Sequence, residues 1–292
     1  MGERILYYTI PVLKLLLFVV LFLFCFLPTT ILFQFNFIQQ IESPLLADLI
    51  VELCLCLAVI GALLMVFQLL KKYSFYDVFV IPENSVSGFL KGSLIGLFLI
   101  LICAGFTMLN GNVIFSAGNI KIIEILGYLI FFVLVAVFEE LLFRTFPLLV
   151  FAERYHAALA IFLSSVLFGL AHLGNDGFTW LAMLNITLAG ILFSIFTMQK
   201  WNISWAIGIH FGWNFTQGTI LGYQVSGGKS SGILIAKPVG QTYLSGGTFG
   251  IEGSVFCTAI LMILILFLIF KYKIEPVQEL LLEEELEEEM TI

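Results

Sequence analysis

Three charged side chains interrupt an otherwise apolar run, VAVFEELLFRTFPLL, which brings Glu139, Glu140 and Arg144 within two helical turns of one another. Ionisable groups at membrane depth are costly and ask for a partner or a function. Glu140 and Arg144 are four residues apart, so a helix sets them on one face where an ion pair forms. Glu139 is turned about 100° from Glu140 and is five residues from Arg144, so it lacks that in-helix partner. An unpaired carboxylate in apolar surroundings suits general-base work, which makes Glu139 the candidate chemical group and Glu140 with Arg144 its clamp. Standing alone, the cluster reads at least as well as charges that fix helix packing.

Two further motifs lie downstream. The chain has three histidines; His156 falls in a loop, whereas His172 and His210 fall in or at the end of apolar helices. FGLAH sets Phe168 four residues before His172, and HFGWN sets Asn214 four residues after His210. An imidazole and a carboxamide one turn apart can donate to one oxygen, as an oxyanion site requires. Together the groups describe hydrolysis in a membrane cavity: Glu139 with His172 activates a water, and His210 with Asn214 holds the tetrahedral oxyanion. Ser164 and Ser165 lack a GxSxG setting and read as helix contacts. No cofactor is demanded, yet Glu139, His172 and His210 are also donors of the type that hold zinc, although the HExxH spacing is absent. Both a metal-bound and a carboxylate-activated water satisfy these residues.

The elements that must carry these groups are membrane spans. The 292 residues are 61% hydrophobic and 11% charged, with a mean hydropathy of +1.09, which excludes a soluble enzyme. Eight of the twenty acidic residues fall in 275–292, leaving twelve against thirteen basic ones elsewhere. The net charge of −7 therefore reflects a tail, and no basic patch suggests nucleic acid. The five cysteines sit in apolar runs without CxxC pairs and read as small core residues.

A span needs about 20 apolar residues, and eight stretches qualify, near 7–33, 45–70, 89–109, 121–150, 157–173, 179–199, 203–222 and 254–272. The fold class expected is all-α, a polytopic bundle of about eight helices, forming one membrane domain over 1–274 with an acidic tail over 275–292. The first stretch lacks a small-residue cleavage site and reads as a retained helix. Lys and Arg fall at alternate helix ends, which predicts that both termini are cytoplasmic. On these boundaries Glu139 lies roughly 16 Å from the cytoplasmic end of its helix and His172 roughly 22 Å from the same side. A helix broken beside Gly169 or Gly174 would remove that mismatch. Lys14, Glu124, Asp48 and Glu52 lie near helix ends and read as snorkelling or end-of-helix charges. The Gly-rich connection 223–253 reads as tight turns, a lid or a plain loop. Trp180, Trp201 and Trp205 read as interfacial anchors, and Trp213 as part of a cavity wall.

Taken in order, EELLFR, FGLAH and HFGWN resemble the three motifs of the CPBP (Abi) family, the CAAX prenyl proteases and bacteriocin-processing proteins. The segment LSGGTFGIEGS is also similar to bacterial members, and the resemblance covers roughly 121–270. It implies an intramembrane endopeptidase in a bacterial cell membrane, with a membrane-associated protein or peptide as substrate; eukaryotic members cleave prenylated CAAX proteins. By motif position Glu139 takes the catalytic role, Glu140 and Arg144 support it, His172 activates the water, and His210 with Asn214 forms the oxyanion site. The family has been described both as metalloproteases and as glutamate-dependent proteases. Two other classes use similar residues: a proton-coupled transporter, for which no internal repeat speaks, and a non-catalytic bacteriocin-immunity or scaffold protein.

Overall fold

The computed structural model describes residues 2–35, 41–229 and 231–272, with side chains from residue 6 onward. The acidic tail lies outside the described residues. The chain forms helices α1 (Gly2–Leu32), α2 (Pro44–Leu69) and α3 (Ser85–Leu109), strand β1 (Val113–Ala117), and helices α4 (Ile122–Arg144), α5 (Phe146–Ala152), α6 (Ala157–Leu170), α7 (Trp180–Lys200) and α8 (Ser204–Phe215). A π-helical turn (Thr216–Ile220), strand β2 (Leu234–Pro238), the short α9 (Thr242–Ser245), a 3-10 turn (Ile251–Gly253) and α10 (Val255–Lys271) complete it. It is an all-α polytopic membrane bundle with one two-stranded antiparallel ribbon, Val113 opposite Pro238 and Ala117 opposite Leu234. That ribbon and the turns around it replace the plain loop reading of the Gly-rich connection.

Helix starts follow from local chemistry. Ser43 caps α2 by accepting from the Leu46 N–H, with Pro44 at the first turn; Thr179 accepts from Ala182 at the start of α7, and Ser254 from Cys257 at α10. At α4 the Glu124 carboxylate accepts from the Lys121 N–H at 2.9 Å. Glu124 is thus a capping group rather than a snorkelling one.

Among the described residues, five helices are long and apolar enough to cross a membrane: Leu6–Leu32, Pro44–Leu69, Ser85–Leu109, Ile122–Ala152 and Trp180–Lys200. The expected spans at 157–173, 203–222 and 254–272 form shorter helices, and local breaks lie around the motif residues. Within Ile122–Ala152 the helix breaks at Thr145 (φ −96°, ψ −113°), before Pro147, which has no N–H to continue the ladder. Helix α6 stops at Leu170 and gives way to turns through Gly174. Helix α8 passes into a π-helical turn after Phe215, a form that wraps functional sites frequently.

Helix α7 is the central element, with 72% of its apolar window buried against 17% for α1. The outward faces of α1 to α3 carry exposed Leu, Ile and Phe, among them Leu13, Phe24, Leu57 and Phe98, as a lipid-facing surface requires. Helices α3 and α8 touch backbone to backbone through glycines. A Cβ on Gly96 would lie 2.0 Å from Ile209 O, and one on Gly212 would lie 2.1 Å from Ser93 O. Gly88, Gly92 and Gly96 recur every fourth residue against Gly208 and Gly212, the small-xxx-small spacing of close membrane helices. Within α1, Lys14 Nζ pairs with Glu153 at 2.9 Å and also bonds Tyr73 Oη, while Lys72 pairs with Glu153 at 3.3 Å. Lys14 is therefore a half-buried tether and not a snorkelling charge.

Candidate active site

The end of α4 supplies the carboxylates. Glu140 and Arg144 are both fully buried and pair at 3.3 Å across one turn. The Arg144 guanidinium lies 4.0 Å from the centre of the Phe168 ring and 5.3 Å from that of Phe193, so two aromatic faces cover a charge that would otherwise meet hydrocarbon. Gly190 of α7 makes room for it, since a Cβ there would lie 2.9 Å from Arg144 Nη2.

Each imidazole is held by its Nδ1. His172 Nδ1 lies 2.8 Å from the Phe168 carbonyl, which fixes a proton on Nδ1 and leaves the Nε2 lone pair free. His210 Nδ1 lies 2.8 Å from Glu140 Oε1, and its ring stacks on Phe193 at 5.1 Å. Both Nε2 atoms converge on Glu139, whose Oε2 is 3.9 Å from His172 and 3.7 Å from His210. That oxygen is buried without a hydrogen-bond partner among the described residues. The expected depth mismatch disappears because α4 ends one turn beyond Glu140 and His172 sits in the turns after α6.

Beside these groups is a cavity of about 20 Å³ lined by His172, His210, Trp213, Asn214, Ser226 and Glu252, among others. Its size admits one water molecule. Asn214 follows His210 by one turn of α8 and faces the same space. All six motif residues, Glu139, Glu140, Arg144, His172, His210 and Asn214, thus meet in one place, drawn from α4, the end of α6 and α8.

Residues 121–216 match the family model described as Type II CAAX prenyl endopeptidase Rce1-like. That segment is Rce1-like. It contains every one of the six residues, and the match supports a CPBP and CAAX-protease kinship for that segment, in general an intramembrane CAAX-type endopeptidase. No curated protein and no solved structure matches the chain.

The donors of the Rce1-like segment are chemically those of a zinc site, but their spacing is not. A tetrahedral shell with bonds of about 2.0 Å sets neighbouring ligand atoms roughly 3.3 Å apart, closer than the separations around Glu139 Oε2. Among the described residues no group of three or more His, Cys, Asp or Glu is placed to hold a metal ion. As placed, these side chains do not close a metal's ligand shell.

Two acidic residues outside the motifs belong to this region. Glu52 of α2 lies close enough to Glu139 for their charges to interact, and its Oε2 is buried without a hydrogen-bond partner among the described residues. It is not the end-of-helix charge expected. Glu252, from the 3-10 turn, lines the cavity and accepts from the Ser226 N–H at 2.7 Å. Burial raises its carboxyl above the ordinary value, opposed by hydrogen bonds from Ser226 and Gln217 and by the nearby His172. For Glu52, four residues after Asp48 in an apolar helix, position within the span was the available sequence signal; for Glu252 it was the Gly-rich motif that surrounds it.

Proposed function

We propose that the Rce1-like segment hydrolyses a peptide bond of a membrane-associated protein or peptide, with Glu139 and His172 activating the water. The convergence of Glu139 Oε2 with the two Nε2 atoms carries this reading. A separation of 3.7 to 3.9 Å is too long for direct hydrogen bonds and leaves the acceptors available to a water.

The two histidines divide the work. With its proton on Nδ1, His172 accepts through Nε2 and takes the water proton together with Glu139. The water oxygen bonds to the scissile carbonyl carbon, and the carbonyl π pair moves to oxygen. Behind His210 the Glu140 carboxylate faces Nδ1 at 2.8 Å and orients the ring, so that Nε2 is presented toward the oxyanion beside the Asn214 amide. Collapse of the tetrahedral species breaks the C–N bond, and the proton held by Glu139 and His172 passes to the leaving amine. No covalent enzyme intermediate is needed.

The test is turnover of a panel of quenched membrane peptides, with and without a C-terminal prenyl group. Purified protein and Glu139→Gln are compared, with a chelator arm. Cleavage reduced by ~10²–10⁴-fold in the variant and surviving chelation is the expected result. Unchanged cleavage in Glu139→Gln would overturn the assignment, and loss under chelation would transfer water activation to a metal. Preference between the prenylated and plain peptides reads the substrate class directly.

A further inference from the structure

Glu252 lies beyond the 121–216 match and belongs to none of the six motif positions, yet it is buried in the wall of the histidine cavity. Its carboxylate grips the tip of a hairpin. Val225 and Gly228 pair across that tip, and the two residues between them, Ser226 and Gly227, have φ of +49° and +83°, as a type I′ turn requires. Glycine adopts that conformation without strain, whereas serine does not. A non-glycine residue held there persists only where its surroundings over-determine it.

The surroundings do so from three sides. Glu252 Oε2 accepts from the Ser226 N–H at 2.7 Å, and the Ser226 hydroxyl reaches the same carboxylate at 3.2 and 3.3 Å. The Ser226 carbonyl accepts from Asn175 Nδ2 at 2.8 Å, and Gly227 N–H donates to Phe249 O at 2.8 Å. Asn175 in turn donates its own N–H to the His172 carbonyl at 3.1 Å. At the other end, Asn185 of α7 donates to the main-chain carbonyls of Glu252 and Ser254 at 2.5 and 2.8 Å. A short chain of hydrogen bonds therefore runs from α7 through Glu252, Ser226 and Asn175 to the turn that carries His172.

We infer that Glu252 is a positioning residue of the hydrolytic site, holding His172 in register with Glu139 through Ser226 and Asn175. The inference rests on the hydrolytic reading above. His172 has left its helix before it reaches Glu139, so α6 alone does not fix its depth, and the Asn175 link supplies a restraint from outside that helix. Misplacement of a reacting group by about 1 Å can cost on the order of 10²-fold in rate.

The experiment compares wild type, Glu252→Ala, Glu252→Gln and Asn175→Ala in the full chain, reading kcat and KM on a cleaved peptide and amide hydrogen exchange along the backbone. Glutamine keeps an oxygen for the Ser226 N–H and alanine does not. Expected is a kcat lower by ~10–100-fold in Glu252→Ala with KM within about two-fold, and a kcat within about five-fold of wild type in Glu252→Gln. Exchange in 171–178 and 222–228 should rise in Glu252→Ala alone of the two. Asn175→Ala cuts only the last link, so it should reproduce the kcat loss with faster exchange confined to 171–178, even if Glu252→Ala does not fold.

Several results would overturn the positioning role: an unchanged kcat in Asn175→Ala, a Glu252→Gln as impaired as Glu252→Ala, or unaltered exchange in 171–178. If wild type cleaves no peptide, the hydrolytic reading fails on its own, while the exchange data still decide whether Glu252 restrains the His172 turn.

Discussion

Behind His172 stands a main-chain carbonyl, Phe168 O, and behind His210 a carboxylate, Glu140, each 2.8 Å from Nδ1. Each acceptor fixes the orientation of the ring it faces, so that Nε2 of His172 and Nε2 of His210 both turn toward Glu139, the latter beside Asn214. Asn214→Ala should therefore lower kcat by ~10²–10³-fold with KM nearly unchanged, measured on the same peptide, because its amide is used only once the oxyanion forms. Arg144 has a different job. It is fully buried against Glu140 and two phenylalanine rings, and Arg144→Ala strands a carboxylate in the interior. A loss of about 3–5 kcal/mol is expected from denaturation in detergent. The i,i+4 relation of Glu140 and Arg144 is legible in the sequence, but the bond from Glu140 to His210 spans 70 residues and has no local signature.

At the scale of elements, α8 carries both His210 and Asn214, and its seat is the glycine face of α3. Side chains at those glycines would collide with main chain, which a rotamer change cannot relieve. Gly96→Val should therefore abolish cleavage and lower the unfolding temperature, since α8 must move away from α4. Gly105→Val on the same helix, where a Cβ meets nothing within 4 Å, should leave both nearly unchanged and serves as the control. The GxxxG spacing in GFLKGSLIG is visible in the sequence. Its partner in α8 is not, because helix pairing depends on how the whole chain returns.

For the whole molecule, the first helix is tied to the Rce1-like segment by one charge cluster. Glu153, just past α5, is desolvated, which alone would raise its carboxyl. The hydrogen bond and charge of Lys14, the charge of Lys72 and the Tyr73 hydroxyl outweigh that and hold it below the ordinary value of 4.5. A carboxyl depressed by folding stabilises the native state above its unfolded value, and that contribution is lost as pH falls through the folded value. Stability should thus fall on acidification below about pH 4.5. Glu153→Gln should already be destabilised at neutral pH and should show a flatter acid limb in melts from pH 3 to 6. Equal slopes in the two proteins would remove Glu153 from the account.

Length, hydropathy and motif order by themselves determined a polytopic helical membrane protein, the positions of its apolar helices within a few residues, and the six residues that meet. These follow from local properties, namely the transfer cost of each stretch and the facing of residues one turn apart. Tertiary structure alone decided that α4 breaks at Thr145, that His172 leaves its helix to meet Glu139, that Glu140 backs His210, and that Glu52 and Glu252 join the site. Each of these depends on where distant segments return in space, and in an apolar chain the same run of Leu, Ile and Phe can face lipid or protein. Only the packing around α7 distinguishes the two.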